Sequence, residues 1–159
     1  MRLAEVLDEH VVVVGQSWPN FEATIQGLLD VLVQASRLPA DSVSITLEQV
    51  CQRERQSSTA MLDIGVSIPH VRTDAIDGIA CALAVAPRAV YEVAFGLPIS
   101  IVALVVSSVT LATEHLQFLS SLSLVLQSER CRSELKRAST AAEVLTVLQS
   151  FDGQGGALL

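Results

Sequence analysis

The sequence predicts a single α/β domain in which a mixed parallel and antiparallel sheet of about five strands is sandwiched between helices. Three observations predict it. Residues 79–86 and 99–106 are almost unbroken apolar runs edged by glycine or proline, the pattern of strands covered on both faces. Segments 21–36 and 111–127 carry apolar residues at helical spacing, as core-facing helices do. The order is strand, two helices, several strands, then helices, which packs as helices on the faces of a mixed sheet. At 159 residues the chain is one domain by length and long enough to bury a core. Half of it is hydrophobic and only 17% is charged, which excludes a disordered chain. Aromatics are 4%, so Val, Leu, Ile and Ala must build that core.

Taken in order, Val11-Val12-Val13-Val14 is a β-branched run closed by Gly15, a short buried strand. Trp18-Pro19-Asn20 turns the chain, and Asn20 caps a helix over 21–36 with Glu22 in its first turn. Phe21, Ile25, Leu28, Leu29, Leu32 and Val33 share its inner face. Leu38-Pro39-Ala40 breaks it. Ser44 or Thr46 caps a second helix over 47–56, with Leu47, Val50 and Cys51 inward. An extended segment over 61–68 is interrupted at Gly65, and 73–78 is a loop. Between the two apolar strands, 90–95 reads as a short edge strand. Thr110 caps the helix over 111–127, whose buried stripe is Leu116, Leu119, Leu122 and Leu126. Ser128 starts a helix to Ala138, and Ser139 or Thr140 caps a last one through Gln149. Gly153-Gln154-Gly155-Gly156 is a frayed end, so 1–150 reads as the domain and 151–159 as a flexible tail.

The formal charge of −7 argues against nucleic acid, which needs a basic face. Cys51, Cys81 and Cys131 are odd in number and widely spaced. They match neither a disulfide framework nor a zinc spacing, and read as reduced thiols. The start Met1-Arg2-Leu3-Ala4-Glu5 has no signal-peptide core. The apolar runs are far shorter than the roughly 20 residues a bilayer crossing needs. A soluble, cytoplasmic protein without direct membrane insertion is the expectation, acting as a monomer or weak dimer.

The most informative stretch is Gly65-Val66-Ser67-Ile68-Pro69-His70-Val71-Arg72. Proline fixes its own φ and biases its predecessor to extended geometry, so His70 is presented from stiff backbone at a strand end. A neutral imidazole so held is a nucleophile that titrates near physiological pH. His115 lies early in the helix after Thr110, near the helix N-terminus, which favours anions. The helix dipole keeps that imidazole neutral. His10 sits among acids before the first strand and reads as solvent-facing. The three histidines lack zinc-motif spacing, so no metal or cofactor is expected. There is no Gly-x-Ser-x-Gly elbow and no glycine-rich phosphate loop. Histidine nucleophilic chemistry with arginine and helix-end support remains. Arg53 and Arg72 are the available cations, and Arg53 and Arg55 equally suit a solvated helix end.

Three pieces, Arg53-Glu54-Arg55-Gln56-Ser57-Ser58-Thr59, Gly65-Val66-Ser67-Ile68-Pro69-His70 and Glu114-His115-Leu116-Gln117-Phe118-Leu119, stand in this order. Together they resemble the IIA domain of the sugar phosphotransferase system, of the fructose, mannitol and nitrogen-regulatory type. That family's pattern is Arg-Glu, two or three residues, Ser-Thr, a glycine-containing loop, Gly-x-Ala-x-Pro-His, and later His-Leu-x-x-Leu. The opening Leu3-Ala4-Glu5-Val6-Leu7 is similar too, so the resemblance covers about residues 1–150. It implies that His70 is phosphorylated by the phosphohistidine of an HPr-type carrier. It further implies transfer to a sugar-permease IIB domain, or use of the phosphoryl group as a regulatory mark on a transporter or kinase. His115 would hydrogen-bond the phosphoryl oxygens. Arg53, for charge stabilisation, and Glu54 would line the pocket, Ser58 and Thr59 would shape its loop, and Arg72 is a further binding residue. The chain departs from the pattern in Ala60-Met61-Leu62-Asp63-Ile64, a loop one residue longer and without glycine, in Ser67 for alanine, and in Val71 for a small residue. Those departures keep open a second reading, a IIA-like interaction module that regulates a transporter or kinase without phosphotransfer.

Overall fold

The computed structural model describes residues 2–153. After 3-10 turns at Leu3–Glu5 and Glu9–Val11, strand β1 spans Val12–Val14. Val11 leaves the predicted strand because Asp8 Oδ1 accepts the His10 N–H and winds the turn. Helix α1 (Phe21–Gln34) begins as read, with Asn20 Oδ1 accepting the Ala23 N–H at 2.8 Å. It stops short of Ser36, which takes φ +59°, while the Arg37 N–H reaches back to Leu32 O. That is the left-handed ending that satisfies late carbonyls.

Helix α2 (Val43–Gln56) starts four residues earlier than predicted, wound up by a 3-10 turn at Ala40–Ser42. Neither expected cap caps it. Thr46 lies inside the helix, buried, and among the described residues its hydroxyl has no hydrogen-bond partner. Short strands β2 (Ala60–Met61) and β3 (Val66–Ser67) form an antiparallel pair turned at Gly65, φ +67°. Strand β4 (His70–Thr73) follows directly, then β5 (Ile79–Val85), the hairpin β6 (Tyr91–Val93) with β7 (Leu97–Ile99), and β8 (Ile101–Ser108).

The main sheet has the order β1-β5-β8-β3-β2, with β4 also paired to β8, so it holds six strands. The sixth arises because β3 and β4 are one run broken at Ile68-Pro69. Proline has no N–H for a ladder, although its own carbonyl still accepts from Val105 N. β8 runs antiparallel to β5 and parallel to β3 and β4. Every residue of β8 is buried, so both faces are covered, as the unbroken apolar runs foretold.

Helices α3 (Ala112–Leu126), α4 (Glu129–Arg137) and α5 (Ala141–Phe151) complete the fold. Ser128 and Thr140 cap α4 and α5 by accepting from Cys131 N and Glu143 N. Thr110 does not cap α3. Leu111 holds that position, and the Thr110 hydroxyl is engaged with Ser108 Oγ at 2.8 Å. The buried stripe of α3 is His115, Phe118, Leu122, Val125 and Leu126, whereas Leu116 is 64% exposed. The helix is rotated from the predicted setting so that His115 turns inward. α5 reaches Phe151, and Asp152 Oδ2 accepts the Leu3 N–H at 2.8 Å. The rest of the expected tail, 154–159, lies outside the described residues. Among those described, no helix is long and apolar enough to cross a membrane.

Candidate functional site

The break at Pro69 sets the geometry of the site. His70 opens β4 rather than closing a strand, in register with Val105 of β8, and Arg72 is in register with Ser107. Alternation along the strand puts His70 and Arg72 on one face. His115, the fourth residue of α3, packs there. The two imidazole centroids are 5.6 Å apart at 55°.

His70 is half-buried, and its Nδ1 lies 2.8 Å from Ile68 O. A carbonyl only accepts, so Nδ1 carries the proton and donates it. In the uncharged ring Nε2 then keeps the lone pair. The contact spans the proline, so the stiff Ile68-Pro69 unit aims the ring as well as the backbone. His115 is only 6% exposed, and its Nδ1 lies 2.7 Å from the Ser107 hydroxyl. Burial holds the His115 pKa below the ordinary histidine range, and the nearby His70 and Arg72 charges press it the same way. Arg72 itself is exposed.

The second group of predicted residues forms its own network. Glu54 Oε1 accepts from Thr59 N at 2.8 Å and from Ser58 Oγ at 3.0 Å, and Glu54 Oε2 accepts from Thr59 Oγ1 at 2.8 Å. Thr59 Oγ1 is also 3.3 Å from Ser67 Oγ. Glu54 thus pins the chain leaving α2 to β3, two residues before Pro69. Its carboxylate is committed to that loop. Arg53 stands exposed in the last turn of α2, and among the described residues its guanidinium makes no hydrogen bond or ion pair.

The structure therefore gathers His70, His115 and Arg72, ties Glu54, Ser58 and Thr59 into an adjoining loop, and leaves Arg53 exposed in the last turn of α2. His10 is exposed and remote in sequence from these elements. Sequence reasoning missed Ser107 and the Ile68 carbonyl. The signal for Ser107 was a polar residue extending an apolar buried strand eight positions before His115. The carbonyl contact had no side-chain signal. Among the described residues no group of His, Cys, Asp and Glu is placed to hold a metal ion.

Known proteins resemble this chain throughout. The family model described as phosphoenolpyruvate-dependent sugar phosphotransferase system, EIIA 2, matches residues 5–151. A fructose-specific EIIABC component from Bacillus subtilis (strain 168) is 28% identical over 153 residues, which is 96% of this chain but 24% of that protein. The chain thus spans about a quarter of that relative. A fructose-specific EIIA component from Haloferax volcanii is 30% identical over 128 residues, covering 80% of this chain and 81% of the relative. The crystal structure of nitrogen regulatory protein IIA-Ntr from Neisseria meningitidis superposes with a TM-score of 0.78 at 24% identity, over 92% of this chain and 98% of that one. That likeness carries the fold. With the family model matching almost end to end, this chain belongs to the EIIA 2 family of the phosphoenolpyruvate-dependent sugar phosphotransferase system.

Proposed function

We propose that this chain is a phosphohistidine phosphotransfer protein that accepts a phosphoryl group on His70 Nε2 from an HPr-type carrier. It then passes the group to a IIB domain or holds it as a regulatory mark. The observation that carries this reading is the pairing of a half-buried imidazole, its Nδ1 tied to the Ile68 carbonyl, with a second imidazole 5.6 Å away.

The step balances without a metal. The His70 Nε2 lone pair attacks phosphorus, and the bond to the carrier imidazole breaks with its electron pair returning to the carrier nitrogen. One nitrogen–phosphorus bond is lost and one is made. Positive charge moves from the carrier ring to the His70 ring, where Nδ1–H faces the Ile68 carbonyl. That dipole is pre-oriented toward the developing charge. His115 contacts the phosphoryl oxygens, and Arg72 and Arg53 supply positive charge, Arg53 as the partner docks. Placement and charge stabilisation are what phosphoryl transfer asks of a protein.

The test is incubation with phosphoenolpyruvate, the general phosphotransferase enzyme and an HPr-type carrier, read by intact mass. One phosphoryl group is gained, and none in His70→Ala. No gain with the native partners would sink the reading. It would favour the second one, an interaction module regulating a transporter or kinase. Exposed Leu116 and Leu62 beside the site give that reading its own support. Two curated relatives are named fructose-specific, which favours a sugar-type IIB domain as the first acceptor to try.

A further inference from the structure

We infer that Ser107 is a positioning residue: its hydroxyl donates to His115 Nδ1 and so keeps the His115 proton on Nε2, making that ring a hydrogen-bond donor. The catalytic part of this inference rests on the phosphotransfer reading above; the tautomer itself does not.

The two imidazoles of the pair are tied by different chemistry. His70 Nδ1 meets a carbonyl, which can only accept. His115 Nδ1 meets a hydroxyl, which can donate or accept. Burial decides between the two. Ser107 is fully buried in β8, and among the described residues His115 Nδ1 is the partner of its Oγ. If the ring donated from Nδ1, the hydroxyl proton would be left buried without an acceptor, the costly outcome for a polar group. If the hydroxyl donates, its proton is satisfied and Nε2–H is left on the part of the ring that Ser107 does not engage.

The charge argument points the same way. A phosphoryl group on His70 is an anion beside this ring. An Nε2 lone pair would repel it, whereas an Nε2–H would bond it. His115 is held neutral by burial and by neighbouring positive charge, so the ring carries one proton and its location matters. When His70 is also uncharged, the pair consists of two imidazoles in opposite tautomers. The carbonyl makes one a nucleophile and the hydroxyl makes the other a donor.

Long-range proton–nitrogen correlation of the histidine side chains in the full unphosphorylated chain tests this, well above the ordinary histidine pKa of about 6.5. Wild type should show His115 as the Nε2–H tautomer and His70 as the Nδ1–H tautomer. In Ser107→Ala the His115 pattern should become mixed, with His70 unchanged as an internal control of the fold. Ser107→Thr, which suits a strand and keeps the hydroxyl, should restore it. An Nδ1–H tautomer for wild-type His115 overturns the inference even if the alanine variant does not fold, as does an unchanged pattern in Ser107→Ala. Where phosphoryl uptake occurs, Ser107→Ala should slow it roughly 3- to 10-fold, the worth of one hydrogen bond, and Ser107→Thr should recover the rate. A chain that takes up no phosphoryl group yet shows the opposite tautomers would refute the function and leave the role of Ser107 standing.

Discussion

The two halves of the site are held by different means. His70 and His115 stand on β4 and α3, against the wholly buried strand β8. Each ring is fixed by a contact to the core, one to the Ile68 carbonyl and one to Ser107. The adjoining loop, 57–65, meets the core through the partly buried Ala60, Met61 and Ile64. Leu62 is half exposed, and the strand it leads into is two residues long. One carboxylate, Glu54, gathers its start through Thr59 and Ser58. Under the phosphotransfer reading, the groups that would meet a phosphorus atom within a fraction of an ångström stand on rigid elements. The longer 60–64 stretch falls in this loop, as surface connections allow without disturbing the core, whereas Ser67 and Val71 lie on β3 and β4.

A set of substitutions and a pH series probe that contrast, from large effect to small. His115→Ala should still accept phosphoryl groups but transfer them about 10- to 100-fold more slowly, the value of a hydrogen bond to a charged group. Rapid-quench transfer rates decide, and a wild-type rate would strip His115 of its role. Gly65→Ala tests the loop's one strained point. Its φ is +67°, and an added Cβ would sit 3.2 Å from the Pro98 carbonyl oxygen. A loss of about 2 kcal/mol in urea denaturation is expected.

Glu54→Ala should cost about 1–2 kcal/mol by leaving the Thr59 N–H without its acceptor. Faster amide exchange should be confined to 57–61. Exchange that spreads to β4 would show that loop and histidine pair are one unit after all. Arg72→Ala should slow transfer by up to about fivefold, as befits an exposed charge, and Arg53→Ala by less. The reason is that the Arg72 charge reaches His115. Equal effects would mean that partner docking draws Arg53 in.

The smallest effect is on pH. The His115 pKa lies below its ordinary value in the fold. The unfolded chain therefore binds this proton first as pH falls through about 6.5. Folding stability should drop below that pH, level off once the folded ring also protonates, and be unaffected above it. Urea midpoints between about pH 8 and about pH 5 should show this slope, and His115→Gln should flatten it.

Much of this was legible along the chain. The Asn20, Ser128 and Thr140 caps hold as read, because a cap involves residues two or three apart. The buried strands announced themselves by unbroken apolar runs. Thr110 misled because a neighbouring hydroxyl, Ser108, competed for it, and Leu116 misled because α3 turns His115 inward instead. A polar residue on a buried stripe is invisible to a reading that counts apolar ones.

The sequence by itself determined the element order, the α/β class and the stiff Ile68-Pro69-His70 unit, since periodicity and proline act over a few neighbouring residues. Only the tertiary structure decided that β4 lies parallel to β8, that His115 faces His70 and that Ser107 holds one of the rings. Those pairings join segments distant in the chain. Their register is set by which faces find a partner to bury against, and no local pattern encodes that.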